Sequence, residues 1–174
     1  MKTFRSAMIT VLFVALCLVS QAAAQSEKVE LANAKGDSVG TATIAPVKNG
    51  SGVTIKLDLR NLTPGTHGIH FHQIAKCEAP GFTTAGGHFN PTGKTHGLHN
   101  PGGPHAGDMM NFDVGQDGKA RLTLTNDRVT LGSDAASLYS NGGTALVIHE
   151  KADDYMTDPS GNSGARIACG VIIK

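Results

Sequence analysis

Val53-Thr54-Ile55-Lys56-Leu57-Asp58-Leu59-Arg60 alternates apolar and polar side chains without a fault. Residues two apart in an extended chain point to the same side, so this octet has one oily face and one wet face. That pattern marks an antiparallel strand packed against a core on one side only. Ala120-Arg121-Leu122-Thr123-Leu124-Thr125 repeats it. Gln116-Asp117-Gly118 is a tight-turn signal, so residues 111–114 and 120–125 are expected to form a hairpin. Residues 29–32 and 39–44 read as two more strands around Gly36-Asp37, and Lys48 to Gly52 as another turn. Residues 144–149 and 167–173 are apolar and β-branched, which suits central strands. Helical periodicity reaches no further than a turn or two around residues 134–138. Several short strands joined by Gly-rich turns predict an all-β sandwich or barrel.

Two stretches interrupt the strands. Residues 74–108 show no periodicity and hold eight Gly and four Pro. A structureless loop of this length inside a domain is either functional or disordered. This one carries Cys77, His88, His96, His105 and Asp108, all groups able to tie it down. The second, residues 151–164, is polar and lies between two good strands. No internal repeat, linker or second domain is visible.

The first 24 residues belong to a different class. Lys2 and Arg5 precede an almost unbroken apolar run from Ala7 to Ser20, and Ala22-Ala23-Ala24 supplies a small-residue cleavage pattern. This reads as a secretory signal peptide over residues 1–24, too short in its apolar run for a good membrane span. Residues 25–174 would then be a single mature domain, with no stable membrane insertion once the signal is cut. Loss of Lys2 and Arg5 leaves 13 basic against 14 acidic residues, a net charge of −1. That balance gives no support to nucleic acid binding. Of the three cysteines, Cys17 goes with the signal, leaving Cys77 and Cys169. An isolated pair in an exported chain reads as one disulfide, with two free buried thiols as the alternative. Closing so long a loop is worth roughly 4–5 kcal/mol in the chain-entropy model.

The histidines are His67, His70, His72, His88, His96, His99, His105 and His149. Neutral imidazole is the commonest side-chain metal ligand. On a strand, His70 and His72 would project to one face. With Asp108 included, there are more donors than one tetrahedral ion needs, and they suit two sites that share a ligand. An all-imidazole site favours Cu(II), and a carboxylate among imidazoles suits Zn(II).

The ordered motifs are more specific than any single pair. Gly65-Thr66-His67-Gly68-Ile69-His70-Phe71-His72, Gly86-Gly87-His88-Phe89-Asn90-Pro91, Lys94-Thr95-His96-Gly97 and Pro104-His105-Ala106-Gly107-Asp108 follow one another. Leu146 to Asp153 and Gly164-Ala165-Arg166-Ile167-Ala168-Cys169-Gly170 complete the set. Over nearly the whole mature length the chain resembles the copper–zinc superoxide dismutases, and the short interval from His72 to Cys77 resembles the exported bacterial branch. The resemblance implies an immunoglobulin-like Greek-key β-sandwich or flattened barrel with two long functional loops.

It also implies one copper ion per chain, held by His70, His72, His88 and His149. One zinc ion per chain would be held by His88, His96, His105 and Asp108. His88 would be the ring that bridges them. Asp153 would link His70 to His96, and His67 would be a buried hydrogen-bonded neighbour rather than a ligand. Arg166 would dock the anionic substrate beside copper, making Arg166 and His88 the catalytic residues. The Cys77–Cys169 disulfide would anchor the loop near Arg166. The implied reaction turns two superoxide ions and two protons into dioxygen and hydrogen peroxide as copper cycles between Cu(II) and Cu(I). The compartment would be periplasmic or extracellular, the role antioxidant, and a homodimer stays open. Asp154 and Asp158 are expected to be solvated carboxylates, and His99 a surface residue.

Three other readings predict different observations. A copper or zinc carrier on the same fold would lack part of the copper set or Arg166. A blue-copper electron carrier needs a cysteine thiolate with His and Met nearby, yet Cys169 is followed by Gly170-Val171-Ile172-Ile173-Lys174. An adhesion domain with chance histidines would retain no stoichiometric metal after dialysis.

Overall fold

The computed structural model describes residues 26–48 and 50–174, and the expected signal segment lies outside them. The fold is all-β: β1 (Glu27–Asn33), β2 (Ser38–Pro46), β3 (Val53–Leu59), β4 (Gly65–His67), β5 (Ile69–His72), β6 (Phe112–Val114), β7 (Ala120–Asn126), β8 (Thr144–His149) and β9 (Arg166–Ile172). Seven strands form one antiparallel sheet in the order β5-β8-β9-β1-β2-β3-β7, while β4 and β6 pair separately. β1, β2 and β3 are sequential neighbours, and β9 returns from the far end of the chain to lie beside β1. The Greek-key crossovers are the links from β3 to β4 and β5 and from β7 to β8, which leave β7 beside β3 and β5 beside β8. Among the described residues no helix is long and apolar enough to cross a membrane.

The alternation in the opening octet is the burial pattern of β3. Val53, Ile55, Leu57 and Leu59 are buried, while Lys56 and Asp58 face solvent. Arg60 falls just beyond the strand. β8 is buried along its whole length, as its apolar sequence predicts for a strand held between two others. The core gathers Leu31, Ile44, Ile55, Leu57, Phe71, Leu146 and Ile148. Around residues 134–138 the weak helical signal yields turns instead. The Asp134 carboxylate accepts the Ala136 N–H and the Thr130 hydroxyl, a local bonding that competes with a helix.

The long loop is threaded back onto β5 by main-chain bonds. Phe71 N–H donates to the Gly107 carbonyl (3.0 Å), Gly107 N–H to Phe89 (2.8 Å), and Phe89 N–H to Phe71 (2.8 Å). Isolated bridges thereby set His70 opposite Asp108 and His72 opposite His88. Gly107 makes this possible, because a Cβ there would fall on the Phe71 carbonyl oxygen. Gly107→Ala is therefore expected to destabilise the metal-free protein by about 1–3 kcal/mol, the usual cost of overpacking, read from denaturant unfolding. An unchanged unfolding midpoint would remove this account of the loop. Elsewhere on the loop, Cys77 is disulfide-bonded to Cys169 of β9, 92 residues away in sequence.

Candidate metal centre

β5 alternates between two duties. Ile69 and Phe71 enter the core, while His70 and His72 enter a polar cluster with the loop residue His88 and His149 at the end of β8. One donor atom from each of these four histidines lies within 4.8 Å of the others, and all four side chains are buried. A second buried group, with the same limit on separation, joins His88, His96, His105 and Asp108. His88 belongs to both. A third, His70, His96 and Asp153, connects them from the second loop.

In several rings one nitrogen is held by an outer partner and the other turns inward. His70 Nε2 lies 2.7 Å from Asp153 Oδ2, and His96 Nε2 lies 3.0 Å from Asp153 Oδ1. His72 Nδ1 donates to the Gly86 carbonyl at 2.9 Å, because a carbonyl oxygen can only accept. The remaining nitrogens turn inward. His72 Nε2 and His149 Nε2 approach to 3.4 Å, and His105 Nδ1 and His88 Nδ1 to 3.5 Å. Donors about 2.0–2.1 Å from a shared tetrahedral cation stand roughly 3.3 Å apart. The two buried atoms His70 Nδ1 and His88 Nε2 have no hydrogen-bond partner at all. Such orphans cost about 1–3 kcal/mol each when nothing meets them, and a cation is the partner this donor chemistry fits.

Asp108 organises the second group. Its Oδ2 accepts the N–H groups of Gly97 (2.9 Å) and His105 (3.0 Å), so the carboxylate cannot swing. Its Oδ1 then faces His88 Nδ1 at 2.8 Å, His96 Nδ1 at 3.1 Å and His105 Nδ1 at 3.4 Å. Burial alone would raise the Asp108 pKa, but bonds from His105, His88 and His96 hold it far below the carboxylate range. Burial and the neighbouring His70 push His88 down to about 3. Burial and the same neighbour push His149 down to about 2. Burial also acts on His96, but bonds to Asp108 and Asp153 overcome it and raise the ring to about 9.

Arg166 starts β9 and is fixed by loop carbonyls: Nη1 donates to Phe82 and Nη2 to Gly86, each at 2.7 Å. It lines a cavity of about 520 Å³ together with His88, His105, His149, Gln73 and Ser160. His67 is buried, with Nδ1 2.7 Å from the His149 carbonyl and Nε2 2.8 Å from that of Thr63. His99 is exposed, its ring edge-on to Tyr155 at 5.1 Å.

A family model for copper/zinc superoxide dismutase (SODC) matches residues 38–172. The chain belongs to that family. Superoxide dismutase [Cu-Zn] 1 of Aquifex aeolicus is 48% identical over 164 residues, covering 91% of this chain and 96% of the relative. The superoxide dismutase-like protein YojM of Bacillus subtilis is 40% identical, covering 89% and 80%. Among solved structures, a SOD-like protein from Bacillus subtilis superposes with TM-score 0.80 at 41% identity, covering 84% of this chain and 97% of that one. Cu/Zn superoxide dismutase from Brucella abortus gives 0.71 at 32%, covering 85% and 99%. These neighbours share the flattened β-barrel of the superoxide dismutases.

Two residues of this copper/zinc dismutase chain escaped the sequence reading. Asp158 is exposed, as expected of a solvated carboxylate, but its Oδ1 also accepts the His96 N–H at 2.6 Å and lies 3.9 Å from His105 Nε2. Ser163 is buried with its hydroxyl oxygen 3.0 Å from His149 Nδ1. Neither position carries a sequence signal, because both act from an aperiodic loop on partners far away in the chain. Asp154, by contrast, is an exposed turn hub that accepts from Met156, Thr157 and Asn162.

The imidazole shifts have opposite consequences for stability. His88 and His149 sit below the 6.5 of the unfolded ring, so the unfolded chain binds more protons as pH falls below 6.5. Their contribution is present above that pH and is lost on acidification. His96 is raised, so its contribution is present below 6.5 and lost as pH climbs through about 9. Metal-free protein should therefore show a melting temperature that peaks near pH 6.5–7 and falls on both sides. A flat profile from pH 4 to 9.5 would contradict these assignments.

Proposed function

We propose that residues 25–174, released from a signal peptide at 1–24, dismutate superoxide outside the cytoplasm with one copper and one zinc ion per chain. The supporting observation is the pair of buried four-donor groups that share His88, with His70 Nδ1 and His88 Nε2 left without a hydrogen-bond partner. Copper is assigned to His70, His72, His88 and His149, and zinc to His88, His96, His105 and Asp108. Copper bound there would supply the one-electron redox couple that dismutation requires.

The chain's own groups do the rest. Arg166, fixed at two corners by Phe82 and Gly86, holds a positive charge at the cavity wall where an anion docks. His88 Nε2, buried and without a hydrogen-bond partner, is the atom that carries a proton to the outgoing peroxide. Asp108 keeps His88 oriented through Nδ1, and Asp153 holds His70 and His96 in register. Such outer carboxylates fix ring orientation and ligand basicity.

Arg166→Ala is expected to lower the rate by on the order of ten- to a hundredfold at low salt and to flatten its salt dependence, since a focused charge in a channel acts over about one Debye length. A variant as fast as wild type would show that docking lies elsewhere. Some relatives carry the dismutase name and one is only dismutase-like. The complete donor groups favour the enzyme over a metal carrier. Metal analysis with a superoxide assay decides: a protein loaded with one copper and one zinc but without dismutation would be a carrier.

A further inference from the structure

Ser163, near the end of the second loop, is buried beside a copper-side imidazole. Its hydroxyl donates to the Ser160 carbonyl at 2.8 Å. A serine hydroxyl has one proton. With that proton committed to Ser160, the oxygen can only accept from His149 Nδ1, 3.0 Å away. The other neighbour of Nδ1 is the Gly164 carbonyl at 3.5 Å, which can also only accept. Both surroundings therefore require the proton of His149 on Nδ1. The lone pair is then left on Nε2, the nitrogen 3.4 Å from His72 Nε2.

We propose that Ser163 is a positioning residue that sets the tautomer and ring angle of His149 for copper. It does for His149 what Asp153 does for His70 and the Gly86 carbonyl for His72. The inference rests on the assignment of His149 to copper. Ser160 also lines the cavity, so the relay from its carbonyl to Ser163 to His149 ties the channel wall to the ligand ring.

The test compares wild type with Ser163→Ala, both zinc-loaded, in competition for Cu(II) against a chelator of known affinity. The variant should bind copper roughly 10–100-fold more weakly, the usual effect of removing an outer-shell partner. Its zinc affinity should be unchanged and its Cu(II) EPR hyperfine splitting altered. In wild type reduced to diamagnetic Cu(I), NMR should show a slowly exchanging proton on His149 Nδ1, a readout that needs no variant to fold. Wild-type copper affinity and EPR parameters in Ser163→Ala would overturn the proposal, as would a His149 protonated on Nε2. Wild type that binds zinc but no copper would overturn the metal assignment itself, and this inference with it.

Discussion

His88→Ala should abolish the coupling between the two metal sites and lower dismutation by on the order of a hundredfold or more, the range expected when a positioned proton carrier is lost. The reason is geometric. His88 is the one residue common to both four-donor groups, with Nδ1 2.8 Å from Asp108 Oδ1 and Nε2 directed into the His70, His72 and His149 cluster. Its ring stacks on that of His70 with centroids 4.0 Å apart and meets His72 and His96 edge-on. An alanine leaves three donors on each side and no ring between. Copper and zinc should each still bind, but more weakly, and titrating one should no longer change the spectrum of the other. Full activity with both ions in place would mean that the bridge belongs to another residue.

The second large effect concerns the disulfide. Cys77→Ser is expected to cost about 4–5 kcal/mol of stability, the chain-entropy value for so long a loop, read as a fall in unfolding midpoint. It should also lower activity through Arg166. Cys77 and Cys169 pack with Phe82 in a small buried cluster, and the Phe82 carbonyl is one of the two oxygens that pin the guanidinium. Freed of the bond, the 77–86 segment loses its covalent tie to β9. The activity loss should resemble that of Arg166→Ala in its flattened salt response. Serine variants that melt earlier yet keep the wild-type salt dependence would separate the two roles.

The strands were legible because they are half-buried. Where a strand has one wet face, as in β3 and β7, alternation states which side chains face the core but not which strand is the partner: residues 120–125 pair with β3, and residues 112–114 pair with β4 instead of forming the expected hairpin. β4 was not anticipated, because three residues are too few to show a period. Its histidine was recognised instead as a buried structural neighbour, and His67 lies in that environment. The site was legible to the extent that its donors are a scarce residue type. His70 and His72 announce themselves at alternate positions of one strand, whereas Asp158 and Ser163 are common loop residues whose partners lie 62 and 14 positions away. Their roles depend on how the second loop folds over the first, and no local pattern encodes that.

One half of the sheet, β1, β2, β3 and β7, contributes apolar side chains to the core but no member of any donor group. The donors come from β5, the end of β8 and the two loops. The apolar scaffold and the donor set are thus separate parts of the molecule. Substitutions on the donor-bearing side can change which cation this scaffold prefers, or strip it of cations altogether, while the apolar wall opposite continues to fold.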